Sequence, residues 1–235
     1  MTLQNTEYLL SELLLNAAEK YPDRPALIFP DSRLTYSQLS ALSQRYARAM
    51  MGGGLAPGDH VGILTINRPE YIALLFACML SGTVAVLLNA RFRVQELRHA
   101  ATHCDLKWLF VGHNEDVPHA ARLLEALPGL ADSGAGASVL TPEAPLLERV
   151  VALDAFESPG FTAFADFLDE STLATAEQLD CRQAELVASD TALIMFTSGT
   201  TSLPKGCMLT QESVFRTSLA MRNRLGLLTD ERMWD

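Results

Sequence analysis

The sequence predicts an α/β fold with a mostly parallel sheet and helices on both faces. Three observations predict it. Strand-like runs at 60–66 (HVGILTI), 83–88 (TVAVLL) and 106–111 (LKWLFV) alternate with segments of helical length and periodicity. Thr191–Phe196 is a near-continuous apolar run, the pattern of a strand buried on both faces. Hydrophobic residues make up 49% of the 235, enough to build a core and too many for a disordered chain.

Taken in order, Leu10, Leu13, Leu14 and Ala17 recur at helical spacing, and Pro22 to Pro25 stop that helix. ALIF (26–29) and RLTY (33–36), separated by Pro30-Asp31-Ser32, read as a hairpin. Ser37 is placed to cap a helix whose apolar side is Leu39, Leu42, Tyr46 and Met50. Gly52-Gly53-Gly54 end it; because they follow a helix rather than open one, a dinucleotide-binding GxGxxG reading fails. Pro57-Gly58-Asp59 turn into the strand at 60–66, and Asn67 is placed to cap a helix from Arg68 to Leu80. A helix over Val94–Cys104 leads to the strand at 106–111. The small-residue stretch 127–145 reads as a surface loop or internal boundary. ERVVAL (148–153) is a further strand, and Phe161–Leu168 a short helix. Residues 1–185 are expected to form a first α/β subdomain. Residues 186–235 are expected to open a second, with a strand pair and a following helix.

Composition excludes several functions. The net charge is −10, and the excess acidity lies in residues 101–190, with four basic and sixteen acidic side chains. No basic stripe exists, which disfavours nucleic-acid binding. The charge-free stretch Tyr71–Ala90 has the length of a membrane span, but Ser81-Gly82-Thr83 divides it into a helix-forming and a β-branched half. It reads as a buried helix, a turn and a buried strand. Cys78, Cys104, Cys181 and Cys207 show no paired spacing, and the N-terminus has no secretory pattern, so a cytoplasmic protein with free thiols is expected. Cys78 and Cys207 lie in apolar runs and are expected to be buried. His99, His103 and Cys104 raise a metal site, but HAATHC lacks the central glutamate of HExxH; a half-exposed helix face is expected, and no metal ligand is assigned. Asp166, Asp169 and Glu170 read as a solvated helix end.

The chemistry-bearing segment follows Phe196. Thr197-Ser198-Gly199-Thr200-Thr201-Ser202 are six small residues, five with hydroxyls, followed by Leu203-Pro204-Lys205-Gly206 and a second apolar run. Such a loop suits a polyphosphate. Gly199 and Gly206 allow close backbone approach, successive N–H groups form an anion-binding concavity, and the hydroxyls add rotatable donors. Lys205 supplies the full positive charge. The spacing is not that of a Walker A loop, since Pro204 stands where its second glycine would be.

TSGTTSLPKG resembles the phosphate-binding signature of the adenylate-forming superfamily, which includes acyl-CoA synthetases, luciferases and peptide-synthetase adenylation domains. The family pattern is [ST]-[ST]-G-[ST]-[ST]-G-x-P-K-G, and Ser202 is the one departure. PDRPALIF, RLTYSQLS, LAPGDHVGIL, NRPEY and LNARFRVQEL resemble the family's N-terminal landmarks in the family's order. At positive φ, Ser202 would cost roughly 1 kcal/mol relative to glycine. Gln211 stands where many relatives have a histidine near the acyl pocket.

The resemblance implies ATP-dependent activation of a small carboxylic acid to an acyl adenylate, then transfer to a thiol, commonly coenzyme A. It implies that Thr197, Ser198, Gly199, Thr200, Thr201, Ser202, Lys205 and Gly206 hold the β- and γ-phosphates. Lys205 would be catalytic by stabilising charge on departing pyrophosphate. It also implies that magnesium ligands, the adenine and ribose contacts and a C-terminal catalytic lysine lie beyond Asp235. The chain is therefore expected to be an incomplete N-terminal part, inactive alone and prone to self-association through an exposed strand edge. A kinase with an unusual phosphate loop and a catalytically silent regulatory module are the rival readings.

Overall fold

The computed structural model describes residues 9–113, 116–133, 139, 141–155, 158–197, 203–228 and 231. Helix α1 (Leu10–Lys20) precedes a small antiparallel hairpin, β1 (Pro25–Ile28) and β2 (Arg33–Thr35). Helix α2 (Tyr36–Gly52) is capped by Thr35, not by the expected Ser37. Thr35 Oγ1 accepts from the Gln38 amide at 3.3 Å, and Gln38 Oε1 accepts from the Thr35 amide at 2.9 Å. Only Thr35 has a glutamine three residues on to close this reciprocal box. Ser37 instead donates to Pro22 O at 2.9 Å.

The next elements build a sheet. Strand β3 (His60–Leu64) leads to α3 (Pro69–Ser81), β4 (Val84–Leu87), α4 (Val94–His103) and β5 (Leu106–Val111). Helix α5 (His119–Ala126), β6 (Arg149–Ala152), β7 (Phe161–Ala163), α6 (Phe164–Asp169) and α7 (Ala176–Ala184) follow. The hairpin β8 (Thr191–Thr197) and β9 (Lys205–Thr210) and helix α8 (Gln211–Leu225) close the described chain. Among the described residues the sheet has seven strands in the order β7-β6-β5-β3-β4-β8-β9. All neighbours are parallel except the antiparallel β8–β9 pair. The expected α/β class and the neighbouring parallel strands β3, β4 and β5 are borne out.

The core lies on both faces. Trp108 and Phe110 of β5 pack with Tyr46, Met50, Leu74 and Phe167 on the side of α1, α2, α3 and α6. Leu109 and Val111 pack with Leu97, Ala100 and Leu123 on the side of α4 and α5. The charge-free stretch Tyr71–Ala90 is a core helix and a core strand. Helix α3 stops at Gly82, whose φ of 74° is the left-handed conformation glycine favours. No helix of the described residues is long and apolar enough to cross a membrane.

Several local expectations are corrected. Asn67 does not cap α3; the cap position is Arg68, whose guanidinium reaches Glu70 and Asp154. Phe161–Leu168 is not one helix, because its first residues pair with β6 and only Phe164 onward coils. Helices α5 and α7 were not expected. In 127–145, Leu127, Leu130, Val139 and Ala144 are buried, so hydrophobic anchors tie that stretch to the core. Glu170 does not end in solvent but accepts from Arg149 Nη1 at 2.7 Å, and the Arg149 guanidinium lies 4.3 Å from the Trp108 ring centroid. Cys78 is buried as expected, and burial pushes its thiol up to about 12. Cys207 is exposed, because β9 is the sheet edge. All four cysteines are free. The segment after residue 186 adds β8 and β9 to the same sheet as the rest.

Candidate functional site

Strand β8 runs parallel to β4, so Thr197 at its end lies on the same sheet edge as the C-terminal ends of β3, β4 and β5. Ligands of open α/β sheets bind outside this edge, where successive strands are laid down in opposite directions. Here β4 is added on one side of β3 and β5 on the other.

The hairpin positions the described part of the expected phosphate loop. Thr197 and Lys205 are cross-strand partners at its mouth, and both side chains are exposed. Thr197 Oγ1 lies 3.5 Å from Lys205 O and 3.8 Å from Cys207 Sγ, on the face that Lys205 shares. Strand β8 is buried only over Ala192, Leu193 and Ile194; Met195 is 47% exposed, so the strand leaves the core before the loop begins. Lys205, expected in the loop, is the first residue of β9. Gly206 lies in β9 opposite Phe196, and a Cβ there would sit 3.0 Å from Ile194 Cγ2. Its lack of a side chain serves packing against β8 rather than an unusual backbone turn. Ser198, Gly199, Thr200, Thr201 and Ser202 lie outside the described residues.

Two features of this edge escaped the sequence reading. A crevice of about 570 Å³ opens between the ends of β3 and β4, lined by Thr65, Asn67, Leu88, Asn89 and Arg91 among others. Thr65 Oγ1 is buried, facing Gly112, with no hydrogen-bond partner among the described residues. The second feature is His99 of α4, whose Nε2 is 3.1 Å from Pro204 O. Its ring stacks on that of His103, with centroids 4.9 Å apart and planes inclined by 14°. The i, i+4 histidine spacing was visible in the sequence; its connection to the hairpin was not. Among the described residues no group of three or more His, Cys, Asp or Glu could hold a metal ion.

The model of the AMP-binding enzyme family matches residues 14–234. The chain belongs to that family. Among relatives, it is 30% identical over 221 residues to the acyl-CoA ligase sidI of Aspergillus fumigatus, covering 93% of this chain and 36% of the relative. It is 31% identical over 220 residues to a feruloyl-CoA synthase of Amycolatopsis, covering 92% and 36%. The Mycobacterium tuberculosis fatty acyl CoA synthetase superposes with a TM-score of 0.71 at 26% identity, covering 99% of this chain and 39% of that one. The chain thus spans under two fifths of the length of these proteins.

In this AMP-binding enzyme chain, Gln211 is a buried side chain at the start of α8. It is 2% exposed, and its Oε1 accepts from the Leu10 amide at 3.1 Å, tying the start of α1 to the start of α8.

Proposed function

We propose that this chain supplies the phosphate-binding part of an enzyme that activates a carboxylic acid with ATP and passes the acyl group to a thiol, coenzyme A by its kinship with acyl-CoA ligases. The observation that carries the reading is the β8–β9 hairpin. It pairs Thr197 with Lys205, two residues of the signature TSGTTSLPKG, at the sheet edge where α/β folds bind ligands, and this pairing supports the reading. In the reaction, a carboxylate oxygen attacks the α-phosphorus of ATP and the bond to the bridging oxygen breaks, releasing pyrophosphate. The thiolate then attacks the acyl carbon and AMP leaves.

The role proposed for this chain is electrostatic. Thr197, Ser198, Thr200, Thr201 and Ser202 contribute hydroxyls, Gly199 and Gly206 contribute close backbone approach, and Lys205 meets the charge that grows on pyrophosphate. The substrate carboxylate is the nucleophile, so no side chain here must be one. Magnesium would shield the phosphate charge, but the described residues offer no carboxylate cluster for it. Its ligands are expected to be phosphate oxygens and groups beyond this chain. The acid stays unassigned: the relatives' names include a feruloyl-CoA synthase and a fatty acyl CoA synthetase, and each name speaks for that protein alone. A cytoplasmic setting is proposed from the four free thiols.

Pyrophosphate and ATP binding to residues 1–235, compared with Lys205→Ala, tests the loop. Loss of one charge-assisted donor is expected to weaken pyrophosphate about tenfold. Equal binding by the variant would overturn the role of Lys205. Residues 1–235 alone, with under two fifths of the relatives' length, are expected to show no carboxylate-dependent exchange of labelled pyrophosphate into ATP. Robust exchange would overturn the incompleteness, and release of ADP would replace the ligase reading by a kinase.

A further inference from the structure

We infer that His99 is a positioning residue for Lys205, acting through the carbonyl of Pro204. The inference rests on the reading of Lys205 as a phosphate ligand and adds what holds it in place. His99 Nε2 lies 3.1 Å from Pro204 O, across 105 positions of sequence. A carbonyl oxygen only accepts, so Nε2 carries the hydrogen and donates it. Pro204 O belongs to the same planar peptide unit as the Lys205 amide. A bond to that oxygen therefore fixes the plane from which Lys205 departs.

The bond has support on both sides. His103, one turn further along α4, stacks on the His99 ring and limits its rotation. The neighbouring hairpin residues rest on the same platform. Phe92, just ahead of α4, meets Phe196 edge to face with centroids 5.4 Å apart, and a Cβ on Gly206 would sit 3.5 Å from Cys104 Sγ. Lys205 itself is exposed and has no ion-pair partner among the described residues. What locates its charge is therefore its backbone, held by the pairing with Thr197 and by His99. A long, freely rotating side chain gains reach from a fixed base and loses effective placement when that base wanders.

The test compares residues 1–235 with His99→Ala, His99→Gln and Lys205→Ala, reading pyrophosphate affinity by calorimetry and amide hydrogen exchange at Lys205 and Gly206. His99→Ala is expected to weaken pyrophosphate about fivefold, the worth of one neutral hydrogen bond, and to speed exchange at Lys205 while the urea midpoint hardly moves. His99→Gln should restore both, because its Nε2 reaches the same carbonyl. Wild-type affinity in His99→Ala, with Lys205→Ala weakened, would sink the inference and leave the phosphate reading standing. Wild-type affinity in Lys205→Ala would sink the phosphate reading instead. Unchanged exchange at Lys205 and Gly206 in His99→Ala overturns the positioning role whatever pyrophosphate does.

Discussion

Within α2, Ser43 is completely buried, and its hydroxyl has no hydrogen-bond partner among the described residues. A buried unpaired hydroxyl is a standing cost, and serine is also a weaker helix former than alanine. Ser43→Ala is therefore expected to raise the stability of the chain by about 1 kcal/mol, read as a higher urea midpoint with an unchanged slope. A lower midpoint would show that the hydroxyl is satisfied by water. The same scale separates the two candidate caps of α2. Thr35 and Ser37 both have the chemistry of an N-cap, and the choice fell to Thr35 because Gln38 sits three positions after it. Residue type was legible in the sequence. Which of two equivalent hydroxyls turns toward the helix was decided by the reciprocal partner.

At the scale of elements, the turn between α3 and β4 lets the chain reverse inside the core. Gly82 has a φ of 74°, and an added Cβ would lie 2.7 Å from Leu186 Cδ2. Gly82→Ala should thus meet both backbone strain and a clash, and lower stability by about 1–3 kcal/mol. A midpoint equal to that of the unchanged chain would show that the turn relaxes freely. The turn itself was legible from Ser81-Gly82-Thr83, because a glycine between an apolar helical run and a β-branched run readily supplies the left-handed residue that ends a helix. Elements whose type depends on a neighbour were not. Phe161–Ala163 is apolar enough for either state, and it became strand because β6 offered it an open edge. Helix α7 has only Leu179 buried, so its hydrophobic pattern is too thin to announce it.

Across the whole molecule, one ion pair ties the loops at the ligand-binding edge of the sheet. Arg68, after β3, donates to both oxygens of Asp154, after β6, at 2.9 and 2.8 Å, and the His113 amide donates to the same carboxyl at 2.6 Å. Burial pulls the Asp154 carboxyl upward, but the Arg68 and His113 bonds outweigh it and hold the carboxyl below its usual range. A carboxyl depressed in the folded state contributes stability that is complete above its unfolded value of about 4 and is lost as pH falls through the folded value. Urea unfolding of the chain and of Asp154→Asn should therefore show a gap that is constant from pH 7 to pH 5 and narrows below about pH 4. A gap as wide at pH 3 as at pH 7 would count against the ionised pair. Neither partner could be assigned from the sequence, since 86 residues separate them and each has many possible mates. By contrast, the α/β class, the three central strands, the hairpin around Thr197–Gly206 and the family resemblance were all local patterns, determined by periodicity, glycine positions and a ten-residue motif. Such patterns depend on residues close in the chain, whose spacing the backbone geometry converts directly into one helix, strand or turn. Only the tertiary structure decided the strand order that brings the hairpin to the sheet edge, the exposure of Cys207 on β9 and the meeting of His99 with Pro204. These follow from which surfaces come to cover one another, a non-local choice made by burial of the whole sheet.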